Sequence, residues 1–228
     1  MVDRRFVELA KNSFLLAGAA ALLVLIPAVI ISYRNRTDPS MTVSLCARLA
    51  SMGYAIPGTV IALGVLIPFG ALDNVMNHWA SEHFGVGTGL LLSGTVFILL
   101  FAYMVRLLSV SLQSVEAGLG KIKPTMDDSA RSMGLSKREV MTRVHLPIMK
   151  GTLLTAIVIV FVDVLKELPA TLMLRPFNFN TLAVRAYELA SDERLADSSP
   201  AALAIVMVGI LPVILLSIAI SRSRVGNQ

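Results

Sequence analysis

The chain has 228 residues, of which 55% are hydrophobic and only 15% charged, with a mean hydropathy of +0.74. A soluble domain carries about 25% charged residues, so a water-soluble globule is excluded and an all-α membrane protein is expected. The net charge of +5 fits Lys and Arg held in cytoplasmic loops, and with no basic stripe interleaved with aromatics no nucleic acid is expected as a partner. One cysteine, Cys46, excludes an internal disulfide framework, and three scattered histidines offer no metal-ligand spacing.

A helix needs about 20 apolar residues to cross the hydrocarbon core, and charge-free runs of that length mark the spans. Residues 13–32 form the first; the run is too long for a signal-peptide core and no small-residue cleavage site follows, so it is read as an anchor. Residues 49–72 form the second, and Ala55-Ile56-Pro57-Gly58-Thr59 near its start predicts a broken helix, a packing feature before it is a gating one. Residues 84–105 form the third. Gly18, Gly53, Gly58, Gly64, Gly87, Gly89, Gly94 and Gly209, with Pro27, Pro57, Pro68 and Pro212, are expected to let helices approach closely and bend.

Next comes a polar stretch, MDDSARSMGLSKREVMTRVHLP, at 126–147. Thr125 is read as the N-cap of a helix, with Asp127 and Asp128 as first-turn acids complementing its dipole. Adjacent on a helix, the two carboxylates point about 100° apart and cannot share a proton. Met126, Ala130 and Met133 fall on one face. Gly134 is a candidate left-handed C-cap, and Ser136 caps a second helix in which Glu139 completes a capping box. Val140, Met141 and Val144 give that helix an apolar side, and Pro147 is expected to start the turn into the next span. A short cytoplasmic helix-turn-helix results; the plainer alternative is an interfacial loop whose basic residues sit on lipid head groups.

The fourth span is less tidy. Its charge-free run, 151–162, covers only about 18 Å as a helix, so it must continue through Asp163, Lys166 and Glu167 to about Leu168, where Pro169 ends it, or dive back out. Those three residues share a helical face and can partly neutralise one another, and at such depth they face protein or water. A polar lining of a substrate path and a structural ion cluster near the outer interface both remain open. Residues 198–221 form the last span, giving about five in all.

Alternating spans place Arg34, Arg36 and Arg48 on one side with the central loop (Arg106, Lys121, Lys123, Arg131, Lys137, Arg138, Arg143, Lys150) and with Arg222 and Arg224. The segment 71–83 has no Lys or Arg and carries Asp73 and Glu82. The positive-inside rule then puts the central loop and C-terminus in the cytoplasm and the N-terminus outside. Arg4, Arg5 and Lys11 sit on the wrong side for that rule, which suggests that earlier spans precede residue 1 in a larger protein. An enzyme is not expected, because HExxH, GxSxG and a Walker P-loop are all missing and no catalytic or metal-ligating set is apparent.

Asp128-Ser129-Ala130, three residues, Gly134, nine residues, then Val144-His145-Leu146-Pro147 resembles the EAA motif of binding-protein-dependent ABC transporter permeases, with Asp for Glu, Ser for Ala and Val for Ile. Residues 12–33, LASMGYAIPGTVIALGVLIP, SVEAGLGKIKPTMDDSARSMG and KELPATLMLRPFNFNTLAVRAYELASDERL together resemble the C-terminal half of ferric-iron permeases. The resemblance implies a type I importer (MetI-like) fold, residues 1–228 forming a single permease domain of the bacterial inner membrane, with a coupling loop at 116–150.

The same resemblance implies partners and roles. Asp128, Ser129, Ala130, Gly134, Leu146 and Pro147 would face a cytoplasmic ABC ATPase dimer, with Lys137 and Arg138 pairing with its acids. That partner would bind ATP and Mg2+, leaving this chain without a cofactor. A second permease half and a periplasmic binding protein would complete the importer in its lipid membrane. In the outer segment 169–200, Glu188, Asp192 and Glu193 are candidate binding-protein contacts. Arg175, Asn178, Arg185, Tyr187 and Asp197 accompany them, and a transient site for hard Fe3+ is the alternative there. Ferric iron is the expected cargo; thiamine, polyamine, sulfate and phosphonate permeases share the resemblance.

Overall fold

The computed structural model describes residues 4–38 and 40–224; the C-terminal residues 225–228 and the side chains of Arg222 and Arg224, assigned to the cytoplasm by charge, lie outside the described residues. Among the described residues every regular element is a helix. Helix α1 (Arg4–Thr37) is followed by α2 (Met41–Ala50), a 3-10 turn (Gly53–Ala55), α3 (Gly58–Phe84), α4 (Val96–Leu119) and α5 (Pro124–Ser132). Then come α6 (Lys137–Val140), a π turn (Met141–His145), α7 (Leu146–Leu165), α8 (Pro169–Leu174), α9 (Leu182–Ser191) and α10 (Leu195–Arg224). Among the described residues, five stretches are long and apolar enough to cross a membrane: Arg4–Thr37, Gly58–Phe84, Val96–Leu119, Lys137–Leu165 and Leu195–Ile214.

Helices α1, α4 and α7 form the centre of the bundle. Along α1, Leu16, Ala17, Ala20, Ala21, Val24 and Ala28 are buried at three-and-four spacing. Their small side chains let the backbones come close, which drives helix association where lipid offers no hydrophobic gain. Ala28 meets Leu112, Val115 and Leu119 toward the C-terminal end of α1, while Phe14 packs edge-on against Phe161 toward its N-terminal end. Thus α1 runs parallel to α4 and antiparallel to α7.

Span boundaries depart from the charge-free runs in three places. The second span begins at Gly58 rather than residue 49, because Pro57 cannot donate to a continuing helix and α2 stands as a separate piece. In the third, residues 85–95 form a loop and the helix starts at Val96, then runs past Arg106 to Leu119. Buried Asp73 holds that loop, accepting from the backbone amides of Leu91 (3.2 Å), Leu92 (2.9 Å) and Ser93 (2.6 Å). Arg106, expected in the cytoplasmic loop, is therefore inside the bundle.

The fourth span gains its length at the N-terminal end, not through Glu167. α6, the π turn and α7 run on without interruption from Lys137 to Leu165, so Pro147 starts no turn. The π turn makes this possible: Leu146 donates to Met141 five residues back. The widened backbone accommodates a proline ring that would otherwise strike the carbonyl four residues earlier.

Two helix breaks, each at the end of a span, lie at the same level. The break between α2 and α3 and the break after α7 both face the middle of α4. There the Tyr54 amide donates to Ser109 Oγ (3.2 Å) and Tyr103 Oη pairs with Thr171 Oγ1 (2.5 Å). This level lies about 20 Å up α4 from Leu119 at 1.5 Å per residue.

Candidate coupling site and charged path

Helix α5 starts two residues earlier than its sequence signal. Lys123 is the N-cap and Pro124 the first helical residue, a position where a missing amide costs nothing and the fixed φ favours the helix; Thr125 is inside. Gly134 ends the unit at φ +87°, as its position suggested. Ser136 caps α6 as expected: the Glu139 amide donates to Ser136 Oγ (3.3 Å) and the Ser136 amide donates to Glu139 Oε2 (3.0 Å).

Of the expected apolar face of α5, only Ala130 is buried; Met126 and Met133 are exposed, Met133 by 76%. Around them Asp128, Ser129, Lys137, Arg138 and Pro147 are exposed too, and Leu146 is partly buried. The motif residues therefore divide into an outward surface and an anchor beneath it.

That anchor is a set of residues with no sequence signal linking them. Asp127 Oδ2 accepts from Arg36 Nη2 (2.9 Å) and Nε (3.2 Å), and Oδ1 accepts from His145 Nε2 at 2.5 Å. Arg36 also donates to the carbonyls of Leu119 (2.6 Å) and Ile122 (2.9 Å). Tyr33, one turn earlier on α1, donates to the Lys137 carbonyl (2.5 Å) and sets its ring edge-on to His145 at 5.5 Å. Burial pushes the Asp127 carboxyl upward, but the hydrogen bonds from His145 and Arg36 outweigh it and hold the group below the usual carboxylate range. Asp127 is thus the residue that ties α5 to the bundle, rather than only a dipole-complementing acid. The one hint in the sequence was a histidine set between apolar motif residues.

At the middle of α4, the three charges of the fourth span separate into two pairs. Lys166 Nζ meets Asp163 Oδ1 at 2.8 Å. Glu167 turns instead to Arg106, because α7 ends at Leu165 and the next residues leave its helical register. Glu167 also accepts from the Ala170 amide (3.1 Å), and Arg106 lies 5.9 Å from the Tyr54 ring centre. Lys166 is 61% exposed at this depth. A charge so placed faces water or protein, not lipid.

On α9, Glu188 is engaged by Arg175 (3.3 Å) and Arg185 (3.6 Å), so it braces α9 within the chain. Asp192 and Glu193 are exposed. Nearby, Arg5, Asn12, Asn178, Arg185, Arg194 and Asp197 line a cavity of about 740 Å3. Among the described residues, no three His, Cys, Asp or Glu side chains converge as a metal set.

Residues 39–224 match the family of binding-protein-dependent transport system inner membrane components. The chain is 28% identical over 214 residues to the Fe(3+)-transport system permease protein FbpB 2 of Haemophilus influenzae, covering 92% of this chain and 38% of that protein. It is 28% identical over 174 residues to a putative 2-aminoethylphosphonate transport system permease protein PhnV of Salmonella typhimurium, covering 76% of this chain and 59% of that protein. A chain of a bacterial alginate ABC transporter, solved with a periplasmic protein carrying an alginate pentasaccharide, shares the fold. Its TM-score is 0.69 at 16% identity, over 94% of this chain and 77% of that one. This chain spans 38% and 59% of the length of the two permease relatives. With five apolar spans, a polar helix-turn-helix anchored beneath them and a family match over most of its length, the chain belongs to the binding-protein-dependent transport system inner membrane components.

Proposed function

We propose that this chain is the membrane pathway half of an importer for ferric iron, driven through residues 126–147 by a separate cytoplasmic ATPase dimer. The observation that carries iron is the identity to the Fe(3+)-transport permease along 92% of the chain. The outward surface of Asp128, Ser129, Gly134, Lys137, Arg138 and Pro147, shaped by buried Ala130 and partly buried Leu146 beneath it, docks on the ATPase, which holds ATP and Mg2+. Asp163, Lys166 and Glu167, with Arg106, line the path between this chain and a second permease half. Asp192 and Glu193 meet the iron-loaded binding protein. Closure of the ATPase dimer switches the path between outward and inward openings. Phosphonate is the second reading, supported by equal identity over a shorter stretch of the chain.

The test is transport in proteoliposomes holding this chain, its second half and the ATPase, with an iron-loaded binding protein outside. ATP-dependent accumulation of radioactive iron is expected. Accumulation of 2-aminoethylphosphonate in place of iron favours the second reading, and uptake of neither sinks both.

A further inference from the structure

We infer that Arg36 is the positioning residue that carries displacement of α5 into α1 and α4, an inference that rests on reading residues 126–147 as the ATPase-facing element. The covalent link between α4 and α5 is the short turn 120–123, which alone would act as a hinge. The Leu119 carbonyl, last in α4, accepts a turn-type bond from the Ile122 amide (3.1 Å) and has a second lone pair for another donor. Arg36 takes the carbonyl of Leu119 at the end of α4, that of Ile122 within the turn and the Asp127 carboxylate in α5 beyond it. A guanidinium presents five donors in a rigid planar fork, so one side chain braces the hinge across its width.

The same clamp reaches the far side of the coupling unit. Asp127 joins His145 at the start of the fourth span, and Tyr33 holds Lys137 from the neighbouring turn of α1. Both helices of the unit are thereby fastened to the last turns of α1. Push on α5 and the load passes through Arg36 into α1, whose buried stripe packs on α4 and α7. Without Arg36, the turn 120–123 absorbs the displacement. Lysine cannot substitute, because its ammonium is a compact charge that cannot serve two carbonyls and a carboxylate in one plane.

The experiment uses the complete transporter in proteoliposomes, with ATP hydrolysis measured with and without loaded binding protein beside transport. Arg36→Ala and Arg36→Lys are expected to keep basal hydrolysis, lose stimulation by the binding protein, and transport at least tenfold more slowly. Normal stimulation and transport in Arg36→Ala overturns the inference. Should Arg36→Ala fail to assemble, Arg36→Lys decides: wild-type coupling in that variant overturns it, and uncoupled hydrolysis supports it. Gly134→Asp separates the two levels. If it uncouples while both Arg36 variants stay coupled, only the role of Arg36 fails; if it too stays coupled, the reading of the coupling element fails.

Discussion

Arg106 on α4 and Glu167 after α7 form an ion pair at the level of the helix breaks before α3 and after α7. Their side chains are only 20% and 10% exposed, so each charge depends on the other. Removing one partner of a buried pair costs about 3–5 kcal/mol, whereas replacing both with apolar groups can be nearly neutral. Arg106→Met and Glu167→Gln are therefore each expected to lower stability by about that amount, and the double replacement by Met to recover most of it. Thermal unfolding of the purified protein in detergent measures the three. Equal losses in singles and double would show that the pair is not what holds the two breaks to α4.

Gly134 tests the local geometry of the coupling unit. A Cβ there meets nothing within 4 Å, so substitution costs only the strain of φ +87°, about 1 kcal/mol. Gly134→Asp is expected to insert and fold but to aim α5 wrongly, giving hydrolysis without transport. Gly134→Asn, which tolerates left-handed backbone better, is expected to keep more coupling; the ratio of iron moved to ATP hydrolysed reads the difference.

The glycines of the spans are not equivalent, contrary to their uniform reading as packing residues. A Cβ on Gly53 would overlap the Val105 carbonyl and lie 3.1 Å from the Arg106 carbonyl, whereas one on Gly64 meets nothing within 4 Å. Backbone cannot swing aside as a side chain can. Gly53→Ala is expected to cost about 1–3 kcal/mol by overpacking, and Gly64→Ala to be neutral or stabilising by up to about 1 kcal/mol. The two thermal midpoints should move in opposite directions or, at least, far apart.

The clamp on Asp127 has a defined pH signature. Its folded-state carboxyl titrates below the usual carboxylate range, so its contribution to stability is fully present above the ordinary value of about 3.9. That contribution is lost only as pH falls further, through the depressed folded value. The difference in thermal midpoint between wild type and Asp127→Asn should stay constant from pH 7 down to about pH 4–5 and then shrink. A difference that vanished already near neutrality would rule out the clamp as described.

Some of this was readable locally. Ser136 and Glu139 cap a helix because they stand three residues apart, and Gly134 ends one because glycine takes the left-handed backbone of a C-cap at little cost. Counting charge-free residues found the five spans but misplaced their ends. It stopped the third at Arg106, since a charge whose partner lies 61 residues away looks unpaired in sequence. It also extended the fourth span outward through Glu167, because the continuity through Pro147 depends on a π turn that no short-range pattern announces.

The amino-acid order was enough to establish a polytopic helical protein with a capped polar unit between its spans, because hydropathy and capping act over one or two helical turns. Tertiary structure alone decided what the polar residues do. Arg36 finds Asp127 across 91 positions and His145 closes on it from another helix only after the small-residue stripe of α1 has set the relative depth of α1, α4 and α7. In a bundle whose helices slide past one another until such stripes meet, that depth determines which charges can pair.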